Sequence, residues 1–193
     1  MNILYIDTTS TVLTTGVVAD GVNRFRRIDA GLNGHTKILL GAVDEVLKES
    51  GTDCNGLDAV ALVTGPGSFT GIRIGAATAT AISQATGAKR IAVTAFEIIA
   101  YNRSEVTAAV EAGHGNLYIA RCKDGAQVET GFITADERKS AEKTTAFVFE
   151  PVNGVAETLA AIVAKKAEKG EFVGVFEPFY MRKSQAERNK DEI

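Results

Sequence analysis

A continuous apolar run, Val60-Ala61-Leu62-Val63, feeds into Gly65-Pro66-Gly67-Ser68-Phe69-Thr70-Gly71, and that loop opens a long helix-forming stretch. Four consecutive apolar residues in a strand need cover on both faces, the habit of strands inside an α/β sheet. The loop supplies glycines for unusual backbone angles, and its Ser68 and Thr70 suit the cap of a helix predicted over residues 72–86. Two readings of the loop stand side by side. One is a tight turn into a capped helix; the other is a concave nest of backbone N–H groups that holds an anion. The helix carries Gly71, Gly75 and Ala79 at four-residue spacing, with Ala76, Ala77, Thr78 and Ala81 around them, so one side has almost no bulk. Such a side lets another helix come close, either inside the fold or at a subunit boundary.

The segments before it predict an antiparallel meander: strands at residues 3–7, 12–19 and 22–28, the last two joined by the hairpin signal Asp20-Gly21. An amphipathic helix is predicted over residues 36–49, with Leu39, Ala42, Val43, Val46 and Leu47 at helical spacing and Gly51 as its stop. A strand at 91–94 and a helix at 95–101 complete the first hundred residues. The pattern then restarts, with strands near 107–112, 117–122 and 146–150, a charged stretch at 136–143, a helix at 155–169 and an apolar run at 172–176. A charged helix is expected after Pro178. The restart divides the chain into a first lobe, 1–102, and a smaller second α/β lobe, 103–177, with the 178–193 helix packing back on the first.

Lysine and arginine number 21 against 24 aspartates and glutamates, a net charge of −3. A chain that grips nucleic acid by itself carries a basic excess, because phosphate neutralisation supplies most of the affinity. Any RNA contact is therefore expected to run through something else. Two cysteines, Cys54 and Cys122, stand far apart, too sparse for a disulfide framework, so a reducing compartment is expected. The N-terminus reads as a strand rather than a secretory signal, and no apolar run approaches the roughly 20 residues that span a bilayer. A cytoplasmic location without membrane contact follows as the expectation.

Chemistry-bearing motifs are few. Asp7 at a strand end could hold a metal or a nucleotide phosphate, or cap the turn made by Thr8-Thr9-Ser10-Thr11. His35 opens a helix, and His114 lies in a turn between Gly113 and Gly115. Two histidines about eighty residues apart make no metal site. No His-Glu-x-x-His, Gly-x-Ser-x-Gly or P-loop motif occurs.

Several segments together resemble the TsaB (YeaZ) family, related to the TsaD and M22 glycoprotease-like proteins. Tyr5-Ile6-Asp7-Thr8-Thr9-Ser10 is similar to its opening strand, His35-Thr36-Lys37-Ile38-Leu39-Leu40 to its His-Ser-Glu-x-Leu-Leu, and residues 65–75 to its Gly-Pro-Gly-Ser-Phe-Thr-Gly-x-Arg-Ile-Gly. Val93-Thr94-Ala95-Phe96-Glu97 falls where the family has Val-Ser-Ser-Leu, and Pro178-Phe179-Tyr180-Met181-Arg182 resembles its Pro-x-Tyr-Leu-Arg. The likeness thins after residue 100. There Gly113 stands where the family has arginine, and the chain looks short in its second lobe.

The resemblance implies an α/β, actin-like ASKHA (ribonuclease H-like) fold of two lobes, the second shortened. It implies a non-catalytic subunit of the complex that makes threonylcarbamoyladenosine (t6A) on tRNA, scaffolding a TsaD-type transferase beside a TsaE-type ATPase. The chain is expected to homodimerise when alone and to meet tRNA only through the complex. No catalytic residue, metal or cofactor is assigned, apart from a vestigial, weakly nucleotide-binding pocket at Asp7, Gly65, Gly67 and Ser68. The family's catalytic relatives place metal-binding histidines where this chain has Ala95 and Ile99. The expected partner interface comprises His35, Leu39, Val43, Gly71, Arg73, Gly75, Ala76 and Ala79. The alternative is an enzyme, an ASKHA-type small-molecule kinase or phosphatase using Asp7 and the 65–71 loop. A metalloprotease is the remaining reading, and the missing ligands oppose it.

Overall fold

A computed structural model describes residues 1–31 and 34–182. Strands β1 (Ile3–Asp7), β2 (Val12–Ala19) and β3 (Val22–Asp29) form the antiparallel meander. They are extended by β4 (Ala59–Val63) and β5 (Lys89–Val93), which run parallel to β1, giving the order β3-β2-β1-β4-β5. Every residue of β1 and β4 is buried, as a continuous apolar run requires. The period-two alternation of a strand explains how both faces are used. Leu4, Ile6, Val60 and Leu62 join a core with helices α1 (His35–Ser50) and α2 (Phe69–Thr86). Ile3, Tyr5, Ala61 and Val63 join a second core on the opposite face.

The second sheet contains β6 (Glu105–Glu111), β7 (Leu117–Lys123), β8 (Ala126–Ile133) and the two-residue β9 (Phe147–Val148), in the order β8-β7-β6-β9. Helix α3 (Ala95–Ala100) joins the lobes: Ile98 packs in the second core, while Phe96, Ile99 and Ala100 share a third with Val106, Ala108 and Ala120. Two sheets with helices on both faces of the first make the α/β, actin-like arrangement implied by the resemblance.

Several expectations need correction. The charged stretch at 136–143 forms a helix, α4 (Ala135–Ala141), opened by a capping box between Thr134 and Glu137. Residues 126–133, for which no strand is expected, form β8. Helix α5 (Val155–Glu168) belongs by packing to the first lobe, since Leu159, Ile162 and Val163 lie on the same core as Tyr5 and Ile91, although a boundary at 177 assigned it to the second. The run 172–176 forms only a single bridge, Val173 to Arg90, with Phe176 buried on the α1–α2 side. Residues 178–182 are not helical. They return to the first lobe as an extended segment, whose Phe179 N–H donates to the Thr64 carbonyl at 2.8 Å. The rest of that expected helix, residues 183–193, lies outside the described residues.

Candidate functional site

The end of β1, the loop after β4, helix α3, and β6 of the second lobe line a cleft of about 830 Å³ between the lobes. Asp7 sits at its floor, held by the turn that follows β1. Its Oδ1 accepts from the Thr9 N–H at 2.9 Å and from the Thr9 hydroxyl at 2.7 Å. Asp7 pairs in register with Thr14, and Thr14 with Arg27, so a row across three strands places a guanidinium on the same cleft. Burial pushes the Asp7 carboxyl above its ordinary range, opposed by the two Thr9 bonds and by the charges of His35 and Arg27. Burial pushes the His35 imidazole down, opposed in turn by Asp7. His35 Nε2 has no hydrogen-bond partner among the described residues.

The glycine loop forms the cleft's other wall and makes a capped turn into α2. Ser68 is the helix cap, accepting from the Gly71 N–H at 3.2 Å, while its own N–H donates to the Thr9 carbonyl at 2.7 Å. Two amides of the nest are thus engaged within the protein. Among the described residues the charged lining comprises three carboxylates, Asp7, Glu111 and Glu150, and two guanidiniums, Arg27 and Arg182, a set with no positive excess for a phosphate. Of the four residues expected to form a nucleotide pocket, Asp7, Gly67 and Ser68 line the cleft. Gly65 lies behind them under the C-terminal segment. Thr70 is exposed and is not the cap. Ala95 and Ile99 form part of the apolar wall. Among the described residues no group of three or more His, Cys, Asp or Glu comes together to hold a metal ion. His114 occupies an exposed turn with φ of 53°.

The expected interface is largely overturned. The small-residue stripe of α2 faces its own sheet. A methyl on Gly71 would collide with the Thr8 carbonyl, and one on Gly75 with the Thr8 hydroxyl, and Ala79 is fully buried among β1, β4 and α1. The lack of bulk lets α2 lie close on β1, and the Thr8 hydroxyl donates to the Gly71 carbonyl at 2.7 Å. His35, Leu39 and Val43 are also buried, and Ala76 is half-buried on the same core. Of the eight residues only Arg73 is exposed, its guanidinium over the Phe69 ring at 4.1 Å.

The outer surface of the helix pair has a different composition. Thr70, Arg73, Ala77, Ala81 and Gln84 follow one exposed stripe of α2 at helical spacing, and α1 presents Lys37, Leu40, Gly41 and Asp44. Leu40 is 65% exposed, unusual for a leucine in the middle of an amphipathic helix. The sequence signal for this stripe, Ala77 and Ala81 four apart, was present but indistinguishable from the buried one.

Residues 32–137 match the sequence model of the family described as "TsaD: tRNA N6-adenosine threonylcarbamoyltransferase". Among curated proteins, the "tRNA threonylcarbamoyladenosine biosynthesis protein TsaB" of Haemophilus influenzae is 35% identical over 95 residues, covering 45% of this chain and 39% of that protein. The protein of the same description from Escherichia coli is 32% identical over 127 residues, covering 62% of this chain and 54% of its own length. The chain thus spans less than two thirds of either relative. The solved structure "YeaZ from Pseudomonas aeruginosa" superposes with a TM-score of 0.76 at 20% identity, over 93% of this chain and 99% of that one, a likeness of fold.

Proposed function

The chain belongs to the TsaD family, and on that premise we propose that it is a non-catalytic subunit of the machinery that makes threonylcarbamoyladenosine on tRNA. In this reading it docks a TsaD-type transferase, with a TsaE-type ATPase as a further partner, and pairs with itself when the transferase is absent. The observation that carries the reading is the cleft wall at Ala95 and Ile99, where the resemblance aligns the metal ligands of a catalytic relative and this chain offers only apolar side chains. A cleft without those ligands leaves the helix surface as the working part.

The docking surface in this reading is the outer face of α1 and α2, around Leu40, Ala77 and Ala81. Two alanines one turn apart let a partner helix come near, and an exposed leucine supplies apolar area to bury. A stable complex of this kind buries about 1,600 Å² in total. With a net charge of −3, the chain leaves tRNA to its partners. Among the described residues no helix is long and apolar enough to cross a membrane, and a cytoplasmic site of action belongs to the same reading.

Co-elution with a TsaD-type subunit from the same source tests the role. The expected result is a shared peak that disappears for the Ala77→Arg variant while its circular dichroism is unchanged. A chain that never associates with that subunit, yet phosphorylates or dephosphorylates a small molecule alone in a manner abolished by Asp7→Asn, would establish the kinase or phosphatase reading instead.

A further inference from the structure

Residues 179–182 line the interlobe cleft and touch both lobes. On the first lobe, the Phe179 N–H donates to the Thr64 carbonyl at 2.8 Å, and its own carbonyl lies so close over Gly65 that a methyl there would collide with it. Gly65 adopts a φ of 122°, a backbone angle that side-chain-bearing residues rarely take, so the passage under Phe179 is built for glycine. The Tyr180 ring lies on Phe69 with centroids 4.6 Å apart, and its hydroxyl accepts from Arg73 Nε at 3.3 Å. On the second lobe, the Arg182 guanidinium covers the Phe132 ring of β8 at 4.1 Å, and Phe179 and Met181 pack on the core shared with Val106 and Tyr118. Four consecutive residues, Phe179 to Arg182, line the cleft.

We propose that this segment is a strap: docked, it closes the cleft and pins the two lobes together, and released, it opens the cleft without unfolding either lobe. Its anchorage supports a reversible role. Phe176, just before it, is buried in the α1–α2 core and fixes one end. Among the described residues beyond Phe176, the hold consists of the Phe179 backbone hydrogen bond, the Arg73–Tyr180 hydrogen bond and the side-chain packing of Phe179 to Arg182, and Tyr180 remains 38% exposed. Segments with few buried contacts and exposed hydrogen bonds open at far lower free energy than the core beside them. The floor beneath is ready to be uncovered, because Ile72 lies against Gly65 under Phe179, lines the cleft and is almost fully buried.

Thiol labelling tests the strap. In a Cys54→Ser background, Ile72→Cys places a thiol on the cleft floor, and native Cys122, buried in the second lobe, reports unfolding. Adding Tyr180→Ala and Arg182→Ala should accelerate labelling at position 72 by about tenfold or more, with the rate at Cys122 unchanged. Unchanged rates at both thiols would overturn the proposal, and so would equal acceleration of both, which would make the segment an ordinary brace. Hydrogen exchange of the unmodified chain gives an independent reading. The Phe179 amide should exchange at least about tenfold faster than the Thr64 amide, which donates to the Val93 carbonyl at 2.8 Å within the first sheet. Equal protection of the two amides would count against release.

Discussion

The Thr8 hydroxyl donates to the Gly71 carbonyl at 2.7 Å, tying the end of β1 to the first turn of α2 across 63 residues of sequence. That bond, with the two glycines above it, makes the inner face of α2 part of the core. Adding a methyl at Gly75 must displace the Thr8 side chain or lift the helix from the sheet. Gly75→Ala is therefore expected to destabilise the chain by about 1–3 kcal/mol, despite the higher helix propensity of alanine. Chemical denaturation showing a variant as stable as the parent would contradict this placement.

The two stripes of α2 should respond in opposite ways to the same substitution. Ala79→Arg forces an unpaired charge into a fully buried position, a cost of several kcal/mol, and should leave the chain unfolded or aggregated. Ala77→Arg lies on the exposed stripe and should melt within about 0.5 kcal/mol of the parent. Thermal melts of the pair check the assignment of faces. Equal destabilisation of both would mean that the outer face is not free.

Much of this was legible in the sequence, and the parts that were not share a cause. Strands β1 to β5 and helices α1 and α2 announce themselves through local signals: a β-branched run, Asp20-Gly21, the apolar spacing from Leu39 to Leu47, and the glycine loop. Strand β8 does not, because the adjacent Glu129 and Thr130 break the alternation begun by Gln127 and Val128 on a half-exposed sheet edge. The orientation of the Gly71/Gly75/Ala79 stripe was illegible for another reason. Small residues state that something comes close and say nothing of what, and Thr8 is distant in sequence. The C-terminal charges suggested a helix, whereas the Phe179–Thr64 hydrogen bond holds residues 178–182 extended.

Asp7 should make stability depend on pH in a direction unusual for a carboxylate. Its folded-state value is raised, so above its ordinary value of 3.8 the folded chain retains a proton that the unfolded chain has released. Stability therefore falls as pH rises through that window, because burial disfavours the Asp7 carboxylate by more than the two Thr9 hydrogen bonds and the nearby charges favour it. Asp7→Asn keeps an oxygen to accept both Thr9 bonds and removes the charge. Its melting temperature at pH 7 should exceed that of the parent, by about 2–4 °C for each kcal/mol relieved. A lower melting temperature would show that the charges around Asp7 outweigh its burial.

The lobe junction rests on a polar chain. Lys166 Nζ donates to the Ala92 carbonyl at 2.8 Å and pairs with Glu97 at 2.6 Å. Glu97 closes the capping box of α3 with Thr94, and the Thr94 hydroxyl accepts from Gln127 Nε2 at 2.6 Å. Glu97→Ala strands a half-buried ammonium and the Thr94 N–H, and should cost about 1–3 kcal/mol. Gln127→Ala removes one neutral hydrogen bond and should cost about 1 kcal/mol. Urea titration of both variants tests the ranking, and a costlier Gln127→Ala would reverse it.

The central claim is that this chain acts by partnership, and reconstitution measures it directly. A TsaD-type subunit and a TsaE-type ATPase from the same source are assayed for threonylcarbamoyl transfer to tRNA, with this chain present, omitted, or replaced by Ala77→Arg. The account predicts transfer with the parent chain, loss on omission, and loss with Ala77→Arg although that variant remains folded. Transfer at an undiminished rate without this chain would contradict it.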